Sequence, residues 1–167
     1  MKQIKLRAIE PEDLDLLYRI ENDVDLWNVG TSNVPYSRFL LHEYVANNKN
    51  DIYSDGQVRM MVENPDGQVV GVVDLVNFDP SNRRAEVGLI ILNSYRHQGY
   101  GTAVLAKITD YALRILHLHQ LYAYIDINNK LSLQLFQKAG FVVAAEIKDW
   151  LFDGVKFSDS VLFQYVF

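Results

Sequence analysis

An apolar run leads through two glycines into an amphipathic segment of helical length, and this order constrains the fold more than any other feature of the chain. The run covers residues 85–92, and the glycines are Gly99 and Gly101. A second strand-like run at 121–127 follows the predicted helix. Strands joined through a helix lie parallel in one sheet, so we predict a parallel pair here. The residues expected on the buried face of the helix are Val104, Leu105, Ile108, Tyr111, Ala112 and Ile115.

The remaining segments predict two helices before this unit and a hairpin after it. The early helices are expected at 11–21 and 36–48, the second with Phe39, Leu40, Tyr44 and Val45 facing inward. Further strands are expected at 57–63, 68–76, 83–92, 141–152 and 157–167, and a short helix at 130–138. We therefore predict one α/β (α+β) domain over 1–167. Its mixed, mostly antiparallel sheet should splay at a central parallel pair and carry helices on both faces.

Composition excludes several classes of function. The 167 residues include no cysteine, which removes disulfides and thiolate nucleophiles. No apolar run approaches the roughly 18 residues of a membrane span, and no apolar segment of a signal peptide follows the N-terminal charges. The formal net charge of −5 argues against nonspecific nucleic-acid binding and is compatible with a cationic substrate. We expect a cytoplasmic protein with neither membrane nor nucleic acid as partner.

The glycine segment reads Arg-x-x-Gly-x-Gly over residues 96–101. It lacks the third glycine of the dinucleotide fingerprint and the Lys-Ser or Lys-Thr of a P-loop. Bare backbone N–H groups at a helix start form a site for phosphate. The alternative is that the glycines only allow a turn.

This segment resembles the acetyl-CoA-binding signature Arg/Gln-x-x-Gly-x-Gly/Ala of the GNAT superfamily of N-acetyltransferases. Residues 129–141, Asn-Lys-Leu-Ser-Leu-Gln-Leu-Phe-Gln-Lys-Ala-Gly-Phe, are similar to the family's second block, Asn-x-x-Ala-x-x-x-Tyr-x-x-x-Gly-Phe. The N-terminal region is similar to the opening of the ribosomal-protein and spermidine acetyltransferase branches at Leu6-Arg7, Glu12-Asp13-Leu14 and Leu26-Trp27. Arg83-Arg-Ala-Glu86 is similar to the spermidine branch in particular. The resemblance implies direct transfer of an acetyl group from acetyl-CoA to a primary amine, with no metal.

The resemblance also implies where acetyl-CoA binds. The diphosphate would be held by backbone N–H groups of Arg96, His97, Gln98, Gly99, Tyr100, Gly101 and Thr102. The pantetheine arm would contact the main chain of Ile90, Ile91 and Leu92, the side chain of Asn129 and the ring of Phe136. Asn129 is predicted equally well as the N-cap of the following helix. His97 replaces a glycine common in the signature, and we expect it at the loop surface.

Two positions bear on proton transfer. Glu86 matches the place where relatives often carry an acidic general base; the alternatives are a salt bridge to Arg83 or Arg84, or plain exposure. Phe136 stands where the family has a tyrosine credited with protonating the leaving thiolate, and phenylalanine cannot donate a proton. The thiolate then leaves unaided, another hydroxyl such as Tyr124 or Tyr95 substitutes, or the chain is a poor catalyst.

The acceptor is left open by the sequence. The spermidine branch carries an acidic cluster between its first two helices, whereas residues 29–37 here contain no acid. A polyamine is slightly favoured; a protein N-terminus, an amino acid or aminoglycoside, and a catalytically weak acyl-CoA-binding sensor are the alternatives. Four aromatic residues have two interpretations, as the lining of an acceptor pocket or as part of the core, and the core is favoured. They are Trp27, Tyr36, Phe39 and Tyr44.

Two further groups of residues have a structural and a functional interpretation. His117 and His119 are predicted as an exposed loop pair rather than metal ligands, because no third ligand is evident. The C-terminal aromatics serve either the core or the interface of a homodimer or larger homo-oligomer, and they are Phe157, Phe163, Tyr165 and Phe167.

Overall fold

A computed structural model describes residues 1–26, 34–49 and 51–167. Its strands are β1 Lys5–Arg7, β2 Val58–Glu63, β3 Val69–Asp79, β4 Arg84–Ile91, β5 Gln120–Asp126, β6 Val142–Phe152 and β7 Phe157–Val166. Its helices are α1 Leu14–Glu21, α2 Arg38–Asn47, α3 Ile52–Asp55, α4 Tyr100–Arg114 and α5 Lys130–Lys138. The strands form a seven-stranded sheet in the order β1-β2-β3-β4-β5-β7-β6, which places β4 at the centre. No helix within these described ranges is long and apolar enough to cross a membrane.

The two central strands are parallel, as predicted, and they separate along their length. β4 and β5 pair at Arg84–Gln120, Ala85–Leu121 and Glu86–Tyr122 only. Beyond these pairs β4 continues to Ile91 and β5 to Asp126, each still paired to its outer neighbour. We call the unpaired stretch between residues 87–91 and 123–126 the seam. The predicted splay of a mixed sheet at its central pair is thus confirmed.

Helices cover both faces of the sheet, as predicted. On one face α4 and α5 bury Leu105, Ile108 and Phe136 in a core shared with the inner strands. On the other face α1 contributes Leu17, and α2 contributes Leu41, to a second apolar cluster. Alternation along each strand supplies both cores, because successive side chains point to opposite faces.

The predicted inward faces of two helices need correction. Phe39 and Leu40 are 73% and 50% exposed, and Leu41 is the buried residue of α2. Apolar residues surround α2 on all sides, so the sequence pattern does not select one face. Ile115 is exposed, because α4 ends at Arg114 and Ile115 is its C-cap.

Two short elements were not predicted. β1 spans three residues and α3 spans four, which is too short for alternation or helical periodicity to show. The first predicted helix also begins with a 3₁₀ turn at Pro11–Asp13 before α1. β1 is fixed by its arginine: Arg7 Nε donates to Glu63 Oε2 at 2.6 Å, and Arg7 Nη1 donates to Asp13 Oδ2 at 2.7 Å.

The C-terminal aromatics divide between core and surface. Phe163 is fully buried, while Tyr165 and Phe167 are partly buried against the same core. Phe157 is exposed, and its ring lies 4.8 Å from that of Phe152 on the outer strand β6. The core interpretation therefore holds for the last three aromatics and not for Phe157.

Candidate active site

The glycine segment forms the turn between β4 and α4. Gly99 is the N-cap of α4 and has φ 85°, a left-handed conformation that glycine adopts without steric cost. Its carbonyl accepts from the N–H of Ala103 at 3.2 Å, and no side chain caps the helix. The N–H groups of the first turn have no partner inside a helix, so this helix start presents backbone donors to an anion.

Gly101 has a separate structural reason. A Cβ at this position would lie 2.8 Å from Cδ2 of Leu135 on α5, closer than side chains pack. The absence of a side chain therefore lets α5 approach α4. This contact accounts for the second glycine whether or not a phosphate lies nearby.

Side chains of the glycine segment brace the turn itself. Arg96 Nε donates to the carbonyl of Ile91 at 3.0 Å, and Gln98 Nε2 donates to the carbonyl of Ser94 at 2.9 Å. His97 is exposed, as predicted, and has φ 59°. Glycine adopts such a left-handed backbone without steric cost, whereas a residue with a Cβ does so less readily.

A cavity of about 220 Å³ lies between α1 and the carboxyl end of β4. It brings together four residues that the sequence predicted at the cofactor site: Ile90, Ile91, Leu92 and Arg96. The other lining residues are Leu16, Arg19, Ile20, Asp23, Leu26 and Asn93. The wall is mainly apolar, with arginines from α1 and from the glycine segment at its edge.

The main chain of β4 alternates between its two neighbours. The N–H of Leu92 donates to the carbonyl of Val70 at 3.0 Å, so this residue faces β3. Because the hydrogen-bonding direction alternates along a strand, Ile90 also faces β3, while Leu89 and Ile91 face the seam. Leu89 was not among the predicted contacts, although counting by twos along the predicted strand would have found it.

Glu86 lies at the closed end of the seam. It is half-buried, and its Oε2 accepts from Asn77 Nδ2 at 2.7 Å. The predicted alternative of a salt bridge is not formed: Arg84 pairs with Asp79 at 3.1 Å, and Arg83 Nε donates to the carbonyl of His117. The carboxylate is therefore held by a neutral donor, which leaves its charge available to a cation.

A row of three aromatic rings begins beside Glu86 on the same face of the sheet. Tyr122 is its partner across β4 and β5, and burial together with the Glu86 carboxylate raises the pKa of Tyr122. The ring of Tyr124 lies edge-on to Tyr122 at 5.8 Å and stacks on Trp150 of β6 at 5.6 Å. Sequence reasoning missed both Tyr122 and Trp150. The place of Tyr122 opposite Glu86 depends on the register of β4 and β5, and the place of Trp150 depends on the strand order.

The second predicted block forms α5. Asn129 Oδ1 accepts from the N–H of Ser132 at 3.1 Å, so the predicted N-cap is confirmed. Phe136 is buried in the core between the sheet and α5, with its ring 5.0 Å from Phe141 and 6.3 Å from Phe163. Its ring is thus held by packing on other aromatics.

The remaining candidates lie away from the seam. Tyr36 and Tyr44 pack against the core under α1 and α2, and Trp27 falls outside the described residues, as do residues 28–33 of the loop that follows it. His117 and His119 are exposed, as predicted. The described part of the chain contains no group of three side chains placed to hold a metal ion.

A seam between parallel strands, with a bare helix start at its mouth and a carboxylate at its base, defines a class of site. The helix start suits phosphates, and strand edges suit an extended arm that pairs like an added strand. The carboxylate can take a proton from an amine. Together these features define an acyl-CoA-dependent acyltransferase.

Comparison with known proteins identifies the family. Residues 3–142 match the family model described as an acetyltransferase (GNAT) domain, and the chain belongs to this family. The protein is therefore an acetyl-CoA-dependent N-acetyltransferase, as the sequence predicted.

Individual relatives extend over nearly the whole chain. The spermidine N(1)-acetyltransferase of Escherichia coli K12 is 28% identical over 158 residues, covering 95% of this chain and 83% of that protein. That of Vibrio cholerae is 26% identical over 157 residues, covering 94% and 89%. The crystal structure of the Vibrio cholerae spermidine N-acetyltransferase with CoA and spermine has TM-score 0.87 and 25% identity, covering 98% and 95%. A dodecameric structure of that enzyme has TM-score 0.81 and 25% identity, covering 98% and 94%.

Proposed function

We propose that this protein acetylates a primary amine of a polyamine such as spermidine. The observation that carries the proposal is the Glu86 carboxylate, held by Asn77 on the open face of the sheet beside the seam. The relatives that act on spermidine, and the net charge of −5, support a polycationic acceptor.

A second acidic group lies near Glu86 on the same face. Asp74 of β3 lies beside Gly88, where a Cβ would be 3.7 Å from the Cβ of Asp74. Arg59 donates to both oxygens of Asp74, at 2.7 and 2.8 Å, and also pairs with Glu21. Two carboxylates on one guanidinium leave one net negative charge, which favours an approaching ammonium.

The proposed chemistry assigns roles to residues of this chain. Acetyl-CoA supplies the acetyl thioester. The helix start at Gly99 and Gly101 binds its diphosphate, and the main chain of Leu89 and Ile91 orients its arm along the seam. Glu86 takes the proton from the substrate ammonium, directly or through water, so that the free amine attacks the carbonyl carbon.

The first experiment measures release of CoA thiol from acetyl-CoA across a panel of amines. The panel contains spermidine, spermine, diamines, amino acids, aminoglycosides and short peptides with free N-termini. Because the chain has no cysteine, a thiol-reactive dye meets no protein background. We expect turnover with spermidine or spermine; turnover confined to peptides or amino acids would refute the proposed substrate.

Phe136 favours a second candidate, a catalytically weak acyl-CoA-binding sensor. A buried phenyl ring keeps the packing of the site but offers no proton. Calorimetric binding of acetyl-CoA without turnover of any amine would support the sensor. Turnover with a single amine class refutes it.

We also propose that residues 1–167 form one domain and that the protein is a cytoplasmic homo-oligomer. One sheet contains strands from both ends of the chain, and a relative is dodecameric. Exposed rings on the outer hairpin, among them Phe152 and Phe157, offer an apolar surface for self-association. Sedimentation equilibrium tests the proposed homo-oligomer, since a mass of 19.2 kDa, that of one chain, at working concentrations would refute assembly.

A further inference from the structure

The departing CoA thiolate needs a proton, and Phe136 cannot supply one. The proton donor must reach the seam, since the arm that carries the sulfur is proposed to lie there. The residues of the two unpaired stretches are Val87, Gly88, Leu89, Ile90, Ile91, Ala123, Tyr124, Ile125 and Asp126. Within these two fully described stretches, Tyr124 carries the sole hydroxyl.

The other polar side chain on the seam is already engaged as an acceptor. Asp126 Oδ1 accepts from the N–H and the Nδ2 of Asn128 at 2.8 and 3.0 Å, and its Oδ2 accepts from Ser158 Oγ at 3.3 Å. Both carboxylate oxygens of Asp126 are thus used as acceptors by neighbouring donors. Tyr95 lies beyond β4 beside the glycine segment, where its ring packs against Tyr100 at 5.9 Å. That places Tyr95 at the diphosphate end.

Tyr124 is held in place at the seam. It lies two residues beyond the last β4–β5 pair, on the face that carries Glu86. Its ring stacks on Trp150 with an interplanar angle of 24° and meets Tyr122 edge-on, and the side chain remains 37% exposed. Rings fixed on two sides keep the phenol oriented while one edge remains open to a substrate.

We propose that Tyr124 is the general acid that protonates the leaving thiolate, with Trp150 as the residue that positions its ring. This inference rests on the proposed acetyl transfer. As the new C–N bond forms, the C–S bond breaks and its electron pair stays on sulfur. The phenol proton passes to that sulfur and gives the CoA thiol. Glu86 takes the first proton from the ammonium before attack and passes it to water. As the C–N bond forms, the attacking nitrogen gives a second proton to Glu86, and water carries this proton to the phenolate. Each turnover thus releases one proton, and both side chains regain their starting states.

The test compares kcat and KM for Tyr124→Phe and Tyr124→His. The matched control is Tyr53→Phe, at an exposed tyrosine of α3 whose ring packs edge-on against Phe78. Phenylalanine keeps the ring and its stacking but removes the proton, whereas histidine alters the ring and restores a donor. We expect Tyr124→Phe to lower kcat at least tenfold, with both KM values within twofold, and Tyr124→His to exceed Tyr124→Phe in kcat. Tyr53→Phe should retain kcat within about threefold.

Several outcomes overturn the assignment. A kcat of Tyr124→Phe within twofold of the unmodified protein does so. A Tyr124→Phe variant in which only the KM for the amine rises also overturns it, because the ring would then serve amine binding alone. A histidine variant no faster than the phenylalanine variant shows that ring shape matters and the proton does not. Absence of turnover by the unmodified protein refutes the proposed function as well, whereas these outcomes refute Tyr124 alone.

Discussion

Asn77 shows how backbone conformation prepares one side chain of the site. It has φ 50°, and it lies where the pairing of β3 with β4 shifts between Val76 and Asp79. A bulge redirects side chains, and here it brings the Asn77 amide onto Glu86. A left-handed residue other than glycine costs roughly 1 kcal/mol, which packing elsewhere must offset. The bulge therefore positions the proposed base without adding a second charge.

Glu86→Gln tests the proposed base at constant shape. Glutamine keeps an oxygen that accepts from Asn77 but cannot take the proton of the ammonium. We expect kcat at neutral pH to fall by about 10²–10⁴-fold, the usual contribution of general base catalysis. Steady-state kinetics with the best amine of the panel measures this effect.

The control for that variant is Glu12→Gln, at an exposed glutamate in the 3₁₀ turn before α1. It makes the same change of charge far from the seam and should leave kcat unchanged. If Glu86→Gln turns over as fast as Glu12→Gln, Glu86 is not the base.

Among the elements, α4 and α5 depend on each other at one close contact. Gly101 faces Leu135, and the two helices flank the seam on the side of the larger core. The glycine signature of this chain thus combines two requirements: a left-handed turn at Gly99 and helix packing at Gly101. A loss of activity in a Gly101 variant alone would not distinguish a phosphate contact from this packing.

A double-mutant cycle isolates the packing requirement. Gly101→Ala alone should lower the free energy of unfolding by about 1 kcal/mol, because overpacking of roughly 1–3 kcal/mol exceeds the helix propensity gained by alanine. In a Leu135→Ala background, Gly101→Ala should instead raise the free energy of unfolding. The clash with Leu135 is then absent, and the higher helix propensity of alanine remains. Urea denaturation measures all four proteins; additive effects would contradict the contact.

Most elements followed from the sequence, and the failures have local causes. Strands alternate and α4 has a clear apolar face, whereas α2 is apolar all round and led to the wrong inward residues, Phe39 and Leu40. The site was predictable where it is contiguous in sequence, as in the glycine segment. Trp150 was not predictable as a neighbour of Tyr124, because only the order β5-β7-β6 places the final hairpin beside β5 with β7 inside.

At the scale of the whole molecule, an ionic cluster ties the first strand to the sheet. Asp13 is buried and accepts from both Arg7 Nη atoms, at 2.7 and 2.9 Å, and from the N–H of Glu10 at 2.8 Å. Burial alone would raise the pKa of Asp13, but these hydrogen bonds outweigh it and hold the pKa below its ordinary value. Arg7 also bonds Glu63 of β2, so the cluster links β1, the 3₁₀ turn and β2.

The depressed pKa makes part of the stability dependent on pH. A carboxylate whose pKa is lower in the folded state stabilises the fold above its unfolded pKa of about 3.9, and this stabilisation is lost as pH falls through the folded value. Asp13→Asn should cost about 1–3 kcal/mol of unfolding free energy at pH 7. The difference from the unmodified protein should shrink below about pH 4.

Urea denaturation between pH 7 and pH 3 measures that difference. Asp15→Asn is the matched control, since Asp15 pairs with Arg38 at the exposed surface. Exposed pairs contribute about 0–1 kcal/mol, so this variant should stay close to the unmodified protein throughout. A constant gap between Asp13→Asn and the unmodified protein at all pH values would contradict the assigned cause.

The seam has a consequence for the stability of the fold. Within the sheet only three residue pairs join β4 to β5, so strands β1–β4 and β5–β7 form two panels that are paired at one end and share one core. A molecule lying along the seam contacts both panels and so links them where the strands are unpaired. By mass action its binding adds about 2.7 kcal/mol to stability at a hundred times its dissociation constant. Acetyl-CoA would thus stabilise the fold as well as supply the acetyl group.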